Sequence, residues 1–177
     1  THTNTTSDLT SSAGNAGPAT DDLTVDGSLA SFTKSFSPST VAGGSRSTLT
    51  YTFDNSTGAN DLNSLQFTDT FPSGMTIASP ANQNTTCTNL VLTAPPGGST
   101  FSVDPSLFGA VTVAAGASCT ITVDVVANFS GTVVSESSTA TYRNSFFQFL
   151  EVGPARASLT VSPPGDIQLT KSFEGDP

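Results

Sequence analysis

Lys34 and Asp69 are the residues of this chain whose surroundings best suit chemistry. Lys34 lies in Phe32-Thr33-Lys34-Ser35-Phe36 and Asp69 in Phe67-Thr68-Asp69-Thr70-Phe71. In extended backbone each charge therefore shares a face with two phenylalanines, and such a face points inward. A charge buried alone is very costly. The cost is relieved if the two form a buried ion pair or hydrogen-bonded pair, or if Lys34 snorkels to the rim. A sharper outcome is an intramolecular isopeptide bond. Burial disfavours both charged forms, so the amine becomes nucleophilic and the acid can polarise a nearby amide. Asn144, on the strand parity of Tyr142 and Phe146, would be the acceptor and would lose ammonia.

Other chemistry has little material, and no catalytic residue, metal site or cofactor is expected. His2 is the sole histidine, so a Ser–His–Asp arrangement would have to draw on it from the unpatterned N-terminal tail, and a two-Cys two-His zinc site cannot be built. Asp21, Asp22 and Asp26, like Glu174 and Asp176, match no calcium-loop spacing. Asn4, Asn55, Asn84 and Asn128 open glycosylation sequons, which arise by chance in a chain so rich in Thr, Ser and Asn.

The elements that must position Lys34 and Asp69 are strands. Period-two alternation runs through Phe32, Lys34 and Phe36, through Leu49, Tyr51 and Phe53, and through Leu65, Phe67, Asp69 and Phe71. Cys119, Ile121, Val123 and Val125 form the cleanest row. Shorter strands are expected at Met75–Ala78, Cys87–Leu92, Phe101–Val103, Thr132–Val134, Ala140–Phe149 and Ala157–Val161. Pro38, Gly43-Gly44, Pro72-Ser73-Gly74, Pro95-Pro96-Gly97-Gly98 and Gly116 punctuate them. No run has a capped helical period. Many short strands with frequent turns predict an all-β, immunoglobulin-like antiparallel β-sandwich of Greek-key type. Consecutive Phe146 and Phe147 would sit on opposite faces of their strand. One of the cluster Phe146, Phe147, Phe149 therefore needs cover from outside this sheet, from a local loop or from a neighbouring module or subunit. The row Thr48, Thr50, Thr52 is ordinary strand composition.

A net charge of −9 and a pI near 4.1 argue against nucleic acid and against electrostatic docking on anionic lipid. No stretch approaches the ~20 apolar residues of a membrane helix, so no membrane insertion is expected. Low charge with abundant Thr, Ser, Asn and Gly is the look of a secreted or cell-surface β protein. In that setting Cys87 and Cys119 are expected to form a disulfide, the alternative being two buried thiols.

The chain repeats itself. Gly17-Pro18-Ala19, Leu23-Thr24-Val25 and Thr33-Lys34-Ser35-Phe36 recur in order as Gly153-Pro154-Ala155, Leu159-Thr160-Val161 and Thr170-Lys171-Ser172-Phe173, at an offset of about 136 residues. Residues 1–26 therefore resemble the end of a preceding repeat. Residues 27–165 form a complete repeat, and 166–177 the first strand of a following repeat or a donated strand.

Leu29 to Val41, Gly43-Gly44 with Ser47 to Thr50, Phe67 to Met75, Asn84 to Cys87, Gly97 to Thr100 and Gly116 to Thr120 carry a likeness in that order. The set resembles the bacterial surface repeats called domain of unknown function eleven and their close relatives, over about Ala30 to Val161. The resemblance implies an immunoglobulin-like sandwich repeated in long secreted or wall-associated proteins, with no general catalytic activity. Where many relatives have Asn in the strand after Gly131, this chain has Ser135. By residue type alone, the Lys–Asp–Asn set is similar to that of Gram-positive pilin and adhesin sandwiches. The function expected is a non-enzymatic building block or spacer of a bacterial surface fibre, filament or adhesin. Neighbouring copies of the same repeat would be its partners. They would meet head to tail through Ile167, Leu169, Lys171 and Phe173, which repeat the face around Lys34. The alternative is a loop-based adhesive module for a glycan or host protein, which exposed loop aromatics would favour.

Overall fold

A computed structural model describes residues 2–8, 10–23 and 30–163. Ile167, Leu169, Lys171 and Phe173 lie outside the described residues, as do Asp26, Glu174 and Asp176. The first segment carries β1 (His2–Thr5), β2 (Thr10–Ser11), β3 (Gly14–Asn15) and β4 (Thr20–Leu23), with β1 pairing β4 and β2 pairing β3. The main body opens with β5 (Ser31–Ser37), β6 (Thr40–Ala42), β7 (Arg46–Asp54), β8 (Leu62–Thr70) and β9 (Met75–Ile77). Next come β10 (Asn84–Thr85), β11 (Leu90–Thr93), β12 (Thr100–Pro105), β13 (Val111–Val113) and β14 (Ser118–Ala127). The body closes with β15 (Gly131–Glu136), β16 (Ala140–Arg143), β17 (Phe149–Val152) and β18 (Arg156–Ser162). Among the described residues there is no helix.

The alternation read from the sequence is the alternation of the sandwich. On β5, Phe32, Lys34 and Phe36 are buried between exposed neighbours, and on β7 and β14 buried residues alternate with half-buried ones. One sheet runs β10-β14-β7-β5, with β9 also on β14; its partner runs β11-β12-β8-β16-β17, with β13 also on β8. A smaller sheet, β15-β18-β6, joins them along one side, with β18 and β6 parallel. Phe32, Tyr51, Phe53, Phe67 and Phe101 meet between the sheets, Phe32 stacking on Phe53 with centroids 4.3 Å apart. Such ring pairs add about 0.5–1.5 kcal/mol each beyond their buried area.

The repeated word Gly153-Pro154-Ala155 has a packing reason. Gly153 has φ +90°, and a Cβ there would come within 2.7 Å of the Phe32 ring. Only glycine accepts both the conformation and the close approach.

The sandwich has two poles. Ser31 opposes Asp54 at one of them, and Ser118 opposes Asp54 beside it. At the other, Ser37 opposes Thr48, and β18 ends with Val161 beside Val41. The chain therefore enters the sandwich at one pole and leaves it at the other.

Candidate functional site

Lys34 and Asp69 meet in the core. Lys34 sits opposite Tyr51 in the β5–β7 ladder, and Asp69 reaches across from β8. Lys34 Nζ donates to Asp69 Oδ2 at 2.5 Å and to Ser135 Oγ at 2.8 Å, and both charged side chains have no solvent exposure. The Tyr51 hydroxyl donates to the same carboxylate oxygen at 2.6 Å. Asp69 Oδ1 has no hydrogen-bond partner. Burial pulls the Lys34 pKa below the ordinary lysine value, and the Asp69 carboxylate only partly opposes this through its charge and hydrogen bond. Burial, reinforced by the same carboxylate, raises the Tyr51 phenol well above its ordinary value. Lys34 thus ends in a paired, buried state rather than at the rim.

Asn144 is not brought to Lys34. The strand expected over Ala140–Phe149 breaks after Arg143, and residues 144–148 form a turn joining β16 to β17. Asn144 Oδ1 accepts from the backbone N–H groups of Phe146 and Gln148, while its Nδ2 donates to Gln148 Oε1. An Asx side chain that caps its own turn competes with strand continuation, and here it wins. The third group at Lys34 is Ser135, the position where the resemblance leads one to expect Asn. A hydroxyl offers the amine a hydrogen bond but no carbonyl carbon.

Cys87 and Cys119 form a disulfide with an S–S distance of 2.00 Å. It ties the stretch before β11 to β14. Cys87 itself lies in a bend rather than in the strand expected from Cys87 to Leu92, which begins at Leu90. Asn55, the residue of one sequon, is buried and donates to the carbonyls of Asn60 and Ala114. No cluster of metal-ligating side chains occurs among the described residues.

A second constellation lies at the pole where Ser31 enters. Arg143 Nη1 donates to the Phe147 carbonyl at 2.9 Å, and its guanidinium lies 4.8 Å from the Phe108 ring centre and 3.5 Å from that of Phe149. Phe147 is held at φ 61°, in the left-handed region where a bulky residue is an outlier. Ser64 Oγ accepts from Gly109 N–H at 2.6 Å, fixing the loop that carries Leu107 and Phe108. Phe108, Phe146, Phe147 and Phe149 are 69%, 73%, 62% and 70% exposed. Beside them a cavity of about 250 Å³ is lined by Ala30, Asn55, Asp61, Tyr142, Phe146 and Gln148 among others.

The sequence matches the family described as Domain of unknown function (DUF7933) over residues 30–161. The chain belongs to the DUF7933 family. No curated protein matches it. The DUF7933 fold is similar to that of a cohesin module from a family 33 glycoside hydrolase of Clostridium perfringens, with TM-score 0.55 at 11% identity, over 77% of this chain and all of that one. It is also similar to the major pilin subunit BcpA of Bacillus cereus, with TM-score 0.54 at 8% identity, over 76% of this chain and 40% of the pilin. The major pilin SpaD of Corynebacterium diphtheriae shares the fold at TM-score 0.52 and 10% identity, over 73% of this chain and 34% of that one. At such identities the likeness is one of fold, an immunoglobulin-like β-sandwich.

Three members of these sites escape a sequence reading of this DUF7933 domain. Ser135 was visible only as a departure from a pattern, with no sign that it faces Lys34. Phe108 and Arg143 carry no periodic signal, because Phe108 sits in the turn after β12 and Arg143 at the very end of β16.

Proposed function

We propose that this DUF7933 domain is a non-enzymatic structural module of an extracellular bacterial surface protein, a spacer or building block in a tandem array. The observation that carries this reading is the placement of the repeated words. The first-strand word and the last-strand word recur at nearly the same offset, and the sandwich is entered and left at opposite poles. Modules of that geometry add length when joined. The Cys87–Cys119 disulfide suits an oxidising compartment. The Lys34 cluster is closed to solvent, so it joins β5, β7, β8 and β15 rather than receiving a substrate. The kinship with the domain-of-unknown-function-eleven repeats belongs to the same reading, as does the division into residues 1–26, 27–165 and 166–177.

The test is mechanical. Tension applied at Ser31 and Ser162 runs along the strands and loads their hydrogen bonds together. Tension applied at Ser31 and Asp54, which face each other at one pole, peels β5 from β7 one bond at a time. Single-molecule pulling is expected to need clearly higher force in the first geometry. Equal forces in the two geometries would overturn the spacer reading.

The exposed aromatic loops favour a second reading, an adhesive module for a glycan or protein. They are the one observation that does so.

A further inference from the structure

We infer that the aromatic pole formed by Phe108, Phe146, Phe147 and Phe149 is the seat of the preceding repeat, which docks there by its opposite pole. This rests on the tandem reading above and adds a fixed junction to it. The patch is large: with Leu107, five large apolar side chains project from two turns and the start of β17. At 150–250 Å² per aromatic side chain and their observed exposure, they present on the order of 600 Å². That is at the top of what a monomer's largest patch reaches and within the range of interfaces between domains.

The occupant follows from where the chain enters. Ala30, the residue before β5, lines the same cavity as Phe146. Whatever precedes Ala30 is tethered beside the patch. By the repeat offset, the position equivalent to Ser162, the last of β18, is Asp26. Only four residue steps separate Asp26 from Ala30, a reach of about 14 Å at most. The exit pole of the preceding copy is therefore held within one loop's length of the phenylalanines. A short tether raises its effective concentration to the millimolar range, so even a weak apolar contact closes. The turn is built before the partner arrives. Arg143 clamps the Phe147 carbonyl between two rings, and Asn144 caps the turn from inside. Such pre-ordering lowers the entropy cost of docking.

The experiment uses the 177-residue chain with p-benzoylphenylalanine in place of Phe146, irradiated at about 1 mM, a concentration matching the tethered one. Cross-linked peptides are mapped by mass spectrometry. Intermolecular adducts are expected on the opposite pole, around residues 43–45, 72–74 and 128–129. Phe108→Ser with Phe149→Ser is expected to reduce them at least about fivefold while leaving the fold intact, because both side chains are exposed. Fold is checked by the disulfide and the circular dichroism spectrum. Adducts joining the same pole of two copies, or no intermolecular adduct at all, would overturn the inference. So would a glycan that binds the native chain and is lost in the Phe108→Ser, Phe149→Ser variant without any pole-to-pole adduct. None of these outcomes touches the pulling geometry, so the spacer reading stands or falls separately.

Discussion

Replacing Lys34 by Met should destabilise the domain by about 3–5 kcal/mol at neutral pH, the usual effect of breaking a buried ion pair on one side. The structure gives the reason. Lys34 and Asp69 have no solvent-exposed side-chain surface, so the stranded carboxylate has no route to water. It would keep only the Tyr51 hydrogen bond at one oxygen, while the other already lacks a partner. Burial dominates the lowered Lys34 pKa, which means that the pair does not fully repay the desolvation of its cation. Removing both charges is therefore expected to hurt much less. Lys34→Met with Asp69→Leu should return to within about 2 kcal/mol of the native chain, since apolar replacements of whole buried pairs are often neutral or stabilising.

The assay is urea unfolding at pH 7 with the disulfide intact. With an m-value of about 2 kcal/mol/M, the single variant should lower the midpoint by roughly 2 M, and the double variant should recover most of that shift. The coupling free energy from the four-way cycle isolates the pair. A single-variant cost below about 1 kcal/mol, the level of exposed pairs, would refute the argument. A double variant as unstable as the two singles added together would do the same.

Three further outcomes are expected. Reduction of Cys87–Cys119 should lower stability by about 3–4 kcal/mol, the chain-entropy value for a loop closed over 32 positions; two titratable thiols in unfolded, unreduced chain would sink the pairing. Tyr51→Phe should cost about 1.5–3 kcal/mol at pH 7 as a hydrogen bond to a charged group, and should flatten the alkaline arm of stability. The sign follows from linkage: Tyr51 is raised above 10.0, so above that pH the unfolded chain releases a proton that the folded one keeps, and stability falls. Lys34 acts oppositely, because its folded value lies below 10.5 and stability rises with pH through the gap. An unchanged alkaline arm in Tyr51→Phe would contradict this. The native intact mass should equal the sequence less two hydrogens. Ser135→Asn, by contrast, puts a carboxamide beside Lys34: a Nζ–Cγ bond forms, the amide C–N bond breaks and ammonia leaves. Retention of full mass by a folded Ser135→Asn variant would show that the cluster does not hold the amine in an attacking geometry.

The strands of the core were legible because alternation is enforced from both sides. Phe32, Lys34 and Phe36 could not all turn outward without exposing two rings, and the same constraint fixed Phe67, Asp69 and Phe71. That the two inward charges would meet follows once both face one small core. Their third partner did not follow. Ser135 sits on β15 in a sheet whose pairing, with β18 antiparallel and β6 parallel to β18, has no local signal. Long-range pairing is decided by the sum of packing, which no short window contains.

The turn at 144–148 was misread for a different reason, and that reason bears on function. Tyr142, Asn144 and Phe146 continue the alternation of β16, so periodicity alone extends the strand. The break comes from Asn144 hydrogen-bonding two backbone N–H groups ahead of it, and from Phe147 accepting a left-handed backbone. A bulky residue in that region costs on the order of 1–3 kcal/mol and persists only where its surroundings over-determine it. Here they do: the Arg143 guanidinium holds the Phe147 carbonyl, and the ring lies against Gly109. Yet the outcome is three phenylalanines turned toward solvent, which adds nothing to the stability of the isolated sandwich. Strain, a clamp and exposed apolar surface at one pole are what the junction proposed above would use. The chain's own point of entry, at Ala30, lines the cavity that adjoins the patch, so on that proposal the tether of the preceding repeat begins beside it.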